Sequence, residues 1–176
     1  MGEYDYVDQI IEQWSRVRAD ADVSAMGVIG RISRAAHILS RRLEEVFSDM
    51  GVHGGRFDVL AALRRAGPPH TLTPTALYNS LLISSGAITN RLDRLTSEGL
   101  VERLPSPDDG RYLLVKLTPA GLAAVDAALI VHIANENDLL SGLDAEEEVV
   151  LASILRKLLV ELGDQPHASY SVDPTL

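Results

Sequence analysis

The chain has 176 residues, of which 46% are hydrophobic and none is cysteine, and its formal net charge is −9. This length and composition predict a single domain with an adequate core, and the lack of cysteine excludes disulfides, thiol-based redox sensing and thiolate zinc sites. The acidic first eight residues and the lack of a long apolar run predict a cytoplasmic protein without a signal peptide or a membrane span.

The first third of the chain is predicted to be helical. An amphipathic N-terminal helix is indicated by four apolar residues that recur at the spacing of one helical face: Val7, Ile10, Ile11 and Trp14. After a break at residues 20–22, a long helix is expected at about residues 24–48. A shorter helix is expected at about residues 55–65, where the glycine and prolines of residues 67–69 end it.

Residues 73–99 have the pattern of two short helices joined by a tight turn. Thr73 is a favourable helix cap, and Pro74 suits the first helical position. A second helix begins in the small residues 84–86 and places three apolar side chains on one face: Ile88, Leu92 and Leu95. Gly99 ends this helix, because a left-handed cap favours glycine.

Two strands are predicted next, at residues 100–104 and 113–117. The turn between them is built from Pro105, Pro107, Asp108, Asp109 and Gly110. Helix, turn, helix and hairpin in this order are typical of the winged helix-turn-helix, whose second helix reads DNA. The predicted fold is therefore mainly α with a small β-wing.

The C-terminal part is predicted to form two further helices. The first begins at Thr118 and Pro119 and runs to about residue 140, and the second begins at a capping box of Asp144 and Glu147. The predicted organisation has three parts: an N-terminal extension helix at 1–22, a winged helix-turn-helix and dimerisation domain at 23–162, and a flexible tail at 163–176.

The terminal helices carry more apolar surface than a small winged domain can cover. A two-fold homodimer is the commonest solution, and it would set two recognition helices about 34–36 Å apart, one turn of DNA. The expected partner is then a pseudo-palindromic double-stranded operator. A helical cap within one chain is the alternative that the pattern leaves open.

The net charge is compatible with DNA binding once it is divided along the chain. Residues 1–22 and 119–176 hold 4 Lys/Arg and 16 Asp/Glu, whereas residues 23–118 hold 12 Lys/Arg and 9 Asp/Glu. Phosphate contact requires local positive potential rather than a basic chain. The central segment is therefore expected to face DNA, with the acidic ends turned away.

Helical-wheel geometry identifies the DNA-facing side of the second helix. If Ile88 points inward, Asn90 and Arg94 fall on the far side, where they can read adenine and guanine. The helix start suits phosphate, and the wing tip suits the minor groove. The predicted DNA contacts are Ser84, Ser85, Gly86, Thr89, Asn90, Arg94 and Arg111. The alternative is an ordinary solvated polar face.

Arg91 lies about 60° from Ile88 on the same wheel and is expected to lean back toward the protein. An arginine drawn inward needs an anionic partner or ligand. Asp58, the acid inside the apolar run of residues 57–63, is the candidate partner, and Arg103 could reach the same space. Trp14 is the only tryptophan and lies on the inward stripe of the N-terminal helix.

The runs ITNRLDRLTSEGLVER and PDDGRYLLVKLTPAG resemble the recognition helix and wing of the MarR family of bacterial transcription regulators, over about residues 26–162. Gly110 departs from the family, since many members carry a second arginine there, which leaves wing contacts to Arg111. The run DQIIEQWSRVRADADVSAMGVIGRISRA resembles the urate-responsive PecS-type branch. The resemblance implies a homodimeric repressor and an anion site formed by Trp14, Asp58, Arg91 and Arg103.

Other interpretations remain open. The effector could be a citrate-like carboxylate or a phenolic compound, with the four residues serving only as a structural cluster. Asp58–Arg91 could be a structural salt bridge, and Trp14 could simply anchor its helix. A protein-binding winged module and an enzyme are further classes, although no nucleophile–base spacing or phosphate loop occurs. No metal site or cofactor is expected, because the five histidines are scattered.

Overall fold

The computed structural model describes residues 4–53, 55–81, 85–106 and 113–164, with the side chains of residues 85–87 left out. Within these ranges the chain is mainly α-helical with one small antiparallel sheet, as predicted. The helices are α1 (Tyr6–Val17), α2 (Ser24–Asp49), α3 (Arg56–Arg65), α4 (Pro74–Leu81), α5 (Ser85–Ser97), α6 (Pro119–Leu139) and α7 (Ala145–Glu161). The strands are β1 (Thr71–Leu72), β2 (Val101–Pro105) and β3 (Leu113–Leu117). No helix within the described ranges is long and apolar enough to cross a membrane.

The chain divides into two compact units, Met1–Glu44 and Glu45–Leu176. The boundary falls inside α2, so the first unit consists of α1 and most of α2. This division by contacts does not test the predicted boundary after residue 22 or the predicted tail from residue 163, and both stay predictions.

In the first unit, α1 begins at a capping box and is tied to α2 by charge. The Asp5 side chain accepts from the backbone of Asp8, and the Asp8 side chain accepts from the backbone of Asp5. Arg31 of α2 binds both acids, with 2.8 Å from Nε to Asp5 Oδ2 and 2.6 Å from Nη2 to Asp8 Oδ1. The backbone bond from Asp5, and then Arg31, lower the pKa of Asp8.

The apolar stripe of α1 is only partly buried, which corrects the expectation that Trp14 faces inward. Val7 is 3% exposed, and a Cβ on Gly30 would lie 3.1 Å from its Cγ1. Trp14, however, is 43% exposed. The close contact with α2 is made near Val7, at the opposite end of α1, so the last turn that carries Trp14 is left accessible in the single chain.

In the second unit, α3 forms the centre of the core. Three of its apolar side chains are fully buried: Val59, Leu60 and Leu63. The other large side chains that are fully buried in the core come from the surrounding helices and strands: Leu77, Leu95, Val101, Val115 and Val125. The predicted inner face of α5 is confirmed, since Ile88, Leu92 and Leu95 are 4%, 4% and 0% exposed. Gly99 has the left-handed conformation expected of a helix end, with φ of 71°.

The sheet has three strands in the order β1-β3-β2, all antiparallel. The predicted pairing of β2 with β3 is present. The prediction lacked the third strand, β1, which pairs Thr71 with Lys116 and Leu72 with Val115. A two-residue strand has no periodicity that a sequence pattern could show, and its pairing is formed with distant residues. The predicted turn lies mostly at residues 107–112, outside the described ranges, while Pro105 belongs to β2.

Helices α6 and α7 leave many apolar side chains exposed in the single chain. α6 begins at the cap Thr118, whose Oγ1 accepts from Gly121 N at 3.0 Å, and α7 begins at the predicted capping box of Asp144 and Glu147. No residue of α7 is buried. The exposed side chains are Leu129, Ile130, Val131, Ile133, Val149, Val150, Leu151, Ile154, Leu159, Val160 and Leu162. The homodimer and the helical cap within one chain both stay predictions.

Candidate DNA-binding and effector sites

The polar face of α5 points away from the core. Thr89, Asn90 and Arg94 are exposed on the helix side opposite its buried apolar residues. Ser85 and Gly86 lie in the first turn of α5, with side chains outside the described set, and Ser84 and Arg111 fall outside the described residues altogether. The accessible face of α5 therefore carries one amide and one guanidinium suited to base edges.

Helix α4 supports this arrangement. Thr73 Oγ1 accepts a hydrogen bond from Ala76 N at 3.1 Å, which confirms the predicted cap, and Pro74 occupies the first helical position. Leu77 is completely buried and holds α4 against the core. The helix before the turn is thus fixed at its start and along its inner face.

Arg91 leans back toward α3, as its wheel position predicts. Its side chain is 20% exposed, and its Nη1 lies 3.8 Å from Oδ2 of Asp58. The same nitrogen donates to the carbonyl oxygen of Gly55 at 3.3 Å. The expected ion pair is therefore present, but 3.8 Å is beyond hydrogen-bond distance, so the attraction between the two side chains is mainly Coulombic.

Gly55 makes room for this guanidinium. Its φ is 71°, a left-handed conformation that favours glycine, and it precedes the first residue of α3. A Cβ at this position would lie 2.1 Å from Cζ of Arg91. The backbone conformation therefore favours glycine here, and the space that a Cβ would take is filled by the guanidinium of Arg91.

Arg103 has a different partner from the one predicted. Its Nη2 lies 2.6 Å from Oδ1 of Asp93, an exposed residue of α5. The strand β2 packs against α5 and presents Arg103 to the Asp93 carboxylate, while its place beside Asp58 in an effector site stays a prediction. The pair links the wing to the recognition helix, although ion pairs as exposed as this contribute little energy.

The structure brings together two of the four predicted effector residues. Asp58 and Arg91 form a pair, while Arg103 is held on Asp93 within the same unit. Trp14 belongs to the first unit. Its role beside the other three is a prediction from the family resemblance.

Sequence reasoning missed a second contact between α3 and α5. Arg56 is only 6% exposed, and its Nη1 is hydrogen-bonded to Oε1 of Glu98. A signal was available, because Arg56 stands near the start of a predicted helix and Glu98 near the end of another. Both charges oppose the helix dipole at those positions, which suggests a partner elsewhere.

An aromatic cluster in the same unit was also missed. The rings of Phe47 and Phe57 stack with centroids 4.5 Å apart, and His132 lies 5.0 Å from each. His132 Nε2 lies 3.2 Å from Oε1 of Glu136, one turn further along α6. This histidine therefore serves in packing, one of the two roles expected for the histidines.

Comparison with known proteins agrees with this geometry. A MarR family model matches residues 50–111. The regulator PecS of Dickeya dadantii (strain 3937), an HTH-type transcriptional regulator, is 37% identical over 158 residues, which cover 90% of this chain and 95% of PecS. A MarR family regulator from Streptomyces coelicolor is 30% identical with a TM-score of 0.71, and the match covers 83% of this chain and all of that one.

A structure of mutant MarR from E. coli complexed with operator DNA is also similar. It is 32% identical with a TM-score of 0.65, and the match covers 89% of this chain and 99% of that one. This chain belongs to the MarR family, in the PecS branch, and is a DNA-binding transcriptional regulator with a winged helix-turn-helix.

Proposed function

We propose that the protein is a homodimeric repressor that binds a pseudo-palindromic operator and releases it when a small planar anion, such as urate, binds beside Arg91. The observation that carries this proposal is the ion pair between Arg91 and Asp58, 3.8 Å apart. The arginine belongs to the recognition helix and the aspartate to α3, so any ligand that changes this pair acts directly on the DNA-reading element.

DNA contact by α5 is supported by its exposed face. Asn90 offers an amide for adenine, and Arg94 offers a guanidinium for guanine or phosphate. Thr89 flanks them, while Ser84, Ser85, Gly86 and Arg111 are proposed to contact the backbone or the minor groove. The related MarR structure with operator DNA, 32% identical, supports the same use of the helix here.

Dimer formation is supported by the uncovered apolar side chains of α6 and α7. Ile130, Val149 and Leu162 are 72%, 70% and 73% exposed in the single chain. Large apolar side chains exposed in such number on two neighbouring helices of the sequence are typical of protein–protein interfaces. A second copy of the chain would cover it and would place two copies of α5 on successive turns of DNA.

The effector would act by charge competition. An anion attracted to the Arg91 guanidinium brings negative charge beside the Asp58 carboxylate, and at separations near 4 Å like charges repel by about 4 kcal/mol at an effective dielectric constant near 20. Asp58 is 53% exposed, so its carboxylate has room to move. The ligand switches the protein only if it binds the DNA-incompetent state more tightly.

Arg103 enters this scheme through an exchange of partners. It is 2.6 Å from Asp93 in the structure, so it must leave that carboxylate to reach a ligand held by Arg91. In the second candidate function, a citrate-like carboxylate or a phenolic compound is the effector, and Arg103 keeps its pairing with Asp93. Trp14, Asp58, Arg91 and Arg103 would then be purely structural.

An operator-release titration tests the proposal. A fluorescent duplex from the region upstream of the protein's own gene is bound, and urate, citrate and salicylate are added separately at constant ionic strength. Release by urate alone supports urate as the effector, and release only by citrate or salicylate supports the second candidate effector. Tight operator binding that none of the three disturbs would overturn the effector proposal and leave DNA binding intact.

A further inference from the structure

Arg56 is the only charged residue that is buried among those that the structure describes. Each of its three guanidinium nitrogens has a partner. Nη1 binds Oε1 of Glu98, Nε donates to the carbonyl oxygen of His53 at 3.1 Å, and Nη2 lies 3.3 Å from His53 Nδ1. A buried guanidinium is costly unless its charge and its N–H groups are paired in this way.

Neither charge of this pair interacts favourably with the dipole of its own helix. Arg56 is the first residue of α3, where the helix dipole is positive and the N-cap Gly55 provides no side-chain hydrogen bond. Glu98 directly follows the last residue of α5 and donates its backbone N–H to Arg94 O at 2.9 Å, so its carboxylate stands at the negative end of that helix. Their placement is explained by the contact between the two helices.

The contact is the counterpart of the Arg91–Asp58 pair. There α5 supplies the arginine and α3 the acid, whereas here α3 supplies the arginine and α5 the acid. Arg91 and Glu98 are seven residues apart, so they lie on one side of α5 about 10.5 Å apart along its axis. The recognition helix is thus held to α3 at two points two turns apart.

The two contacts differ in strength. The Arg91–Asp58 pair is 3.8 Å long, with an aspartate that is 53% exposed. The Arg56–Glu98 pair is hydrogen-bonded and has an arginine side chain only 8% exposed. The two acids are similarly exposed, Asp58 at 53% and Glu98 at 42%, so the second pair is the stronger because it is hydrogen-bonded and its arginine is more deeply buried.

We propose that the Arg56–Glu98 pair positions the recognition helix for operator binding by fixing its C-terminal end to α3. Both members are positioning residues, since they act through the orientation of Asn90 and Arg94. The inference rests on the DNA-reading role of α5 and is independent of the effector and its identity.

Operator affinity, affinity for a random duplex and thermal unfolding are measured for Arg56→Met. Loss of the guanidinium leaves α5 free to tilt, so operator binding should weaken roughly tenfold. Affinity for the random duplex should change little, because non-specific binding rests on phosphate contacts that tolerate tilt. Simple loss of folded protein would lower both affinities together and would contradict the positioning role.

Two variants complete the test. The charge exchange Arg56→Glu with Glu98→Arg restores a pair and places each charge at its favourable helix end, so it should recover operator affinity to within about threefold of the parent. Arg64→Met is the matched control, because Arg64 is also on α3 but pairs with Asp126 of α6 at 2.8 Å. It should leave operator affinity unchanged.

If Arg56→Met or the exchange variant does not fold, Glu98→Gln and Glu98→Ala decide the matter, since the Glu98 side chain is 42% exposed and tolerates replacement. The glutamine oxygen can still accept from Arg56, so Gln should bind the operator more tightly than Ala. Equal binding of both variants at the parent's affinity would overturn the proposal. If these variants lose operator affinity as expected but urate has no effect on the parent, only the effector proposal is contradicted.

Discussion

Arg91 of the recognition helix and Asp58 of α3 are 3.8 Å apart, within ion-pair range but beyond hydrogen-bond distance. The hydrogen bond of Arg91 goes instead to the carbonyl oxygen of Gly55, at 3.3 Å. This link between the two helices therefore combines a neutral acceptor with a Coulombic attraction. A second anion can compete for the attraction while the bond to the backbone remains.

Asp58→Asn is expected to separate effector binding from DNA release. Asparagine keeps the shape of the side chain but removes the charge that an anionic ligand would repel. The variant should still bind urate, yet release the operator poorly when urate is saturating. Operator anisotropy measured with and without urate checks this, with Asp126→Asn of α6 as the control acid. Release as complete as in the parent would exclude charge competition.

Asn90→Ala and Arg94→Ala should each weaken specific DNA binding by about 1–3 kcal/mol per lost base contact. Both side chains are exposed on the outer face of α5. Arg111→Ala should weaken binding with a smaller change in sequence preference. Affinities for operator variants measure both effects, and Arg16→Ala, which removes an exposed arginine of α1, is the control. Unchanged operator affinity in both α5 variants would show that this face does not read the groove.

A homodimer is expected in solution because α6 and α7 leave apolar side chains uncovered. Ile154→Glu places a charge on a side chain that is 60% exposed in the single chain and should dissociate the dimer. Leu113→Glu changes a wing residue of similar accessibility, 50% exposed, and should leave the dimer intact. Sedimentation velocity distinguishes the two variants. Deletion of residues 144–176 should abolish both dimerisation and specific DNA binding, and a parent chain that is monomeric at micromolar concentration would contradict the dimer.

The sequence was sufficient where a short-range pattern determines the structure. The inner face of α5 followed from the spacing of Ile88, Leu92 and Leu95, and the inward lean of Arg91 followed from the same wheel. Partners distant in the sequence could not be inferred in this way. The pairing of Arg103 with Asp93 depends on the packing of β2 on α5, which no spacing within one element predicts.

The remaining differences have the same physical origin. β1 has only two residues and exists because β3 offers it an edge. The Arg56–Glu98 contact joins residues 42 positions apart and is visible in the sequence only as two charges at unfavourable helix ends. The spacing of apolar residues predicted which side of α1 is apolar. It did not predict how much of the length of α1 is covered by α2.

Trp14 fluorescence should report effector binding. Trp14 is the only tryptophan and is 43% exposed, so its emission is expected to shift or be quenched when a planar anion stacks on the indole. A urate titration of the intact protein, corrected for urate absorbance, measures this. Arg91→Ala and Arg103→Ala should weaken the response while leaving the fold intact. If neither urate nor a carboxylate anion changes the emission, Trp14, Asp58, Arg91 and Arg103 form a structural cluster only.

Gly55→Ala should disrupt the contact of Arg91 with α3 without removing any charge. A Cβ would lie 2.1 Å from Cζ of Arg91, so the guanidinium must leave both the Gly55 carbonyl and Asp58. The left-handed backbone adds strain of about 1–2 kcal/mol for a residue other than glycine. Gly51→Ala is the matched control, because its φ of 70° is nearly the same but nothing lies within 4 Å of its Cβ position.

Thermal unfolding and operator anisotropy of the Gly55→Ala and Gly51→Ala variants together distinguish backbone strain from displacement of the Arg91 guanidinium. Both variants should lose stability through the backbone, and Gly55→Ala should lose more. Only Gly55→Ala should bind the operator weakly in the absence of any anion and respond little to added urate, because its Arg91–Asp58 pair is already broken. Equal operator affinity in the two variants would mean that the contact of Arg91 with α3 does not control the recognition helix.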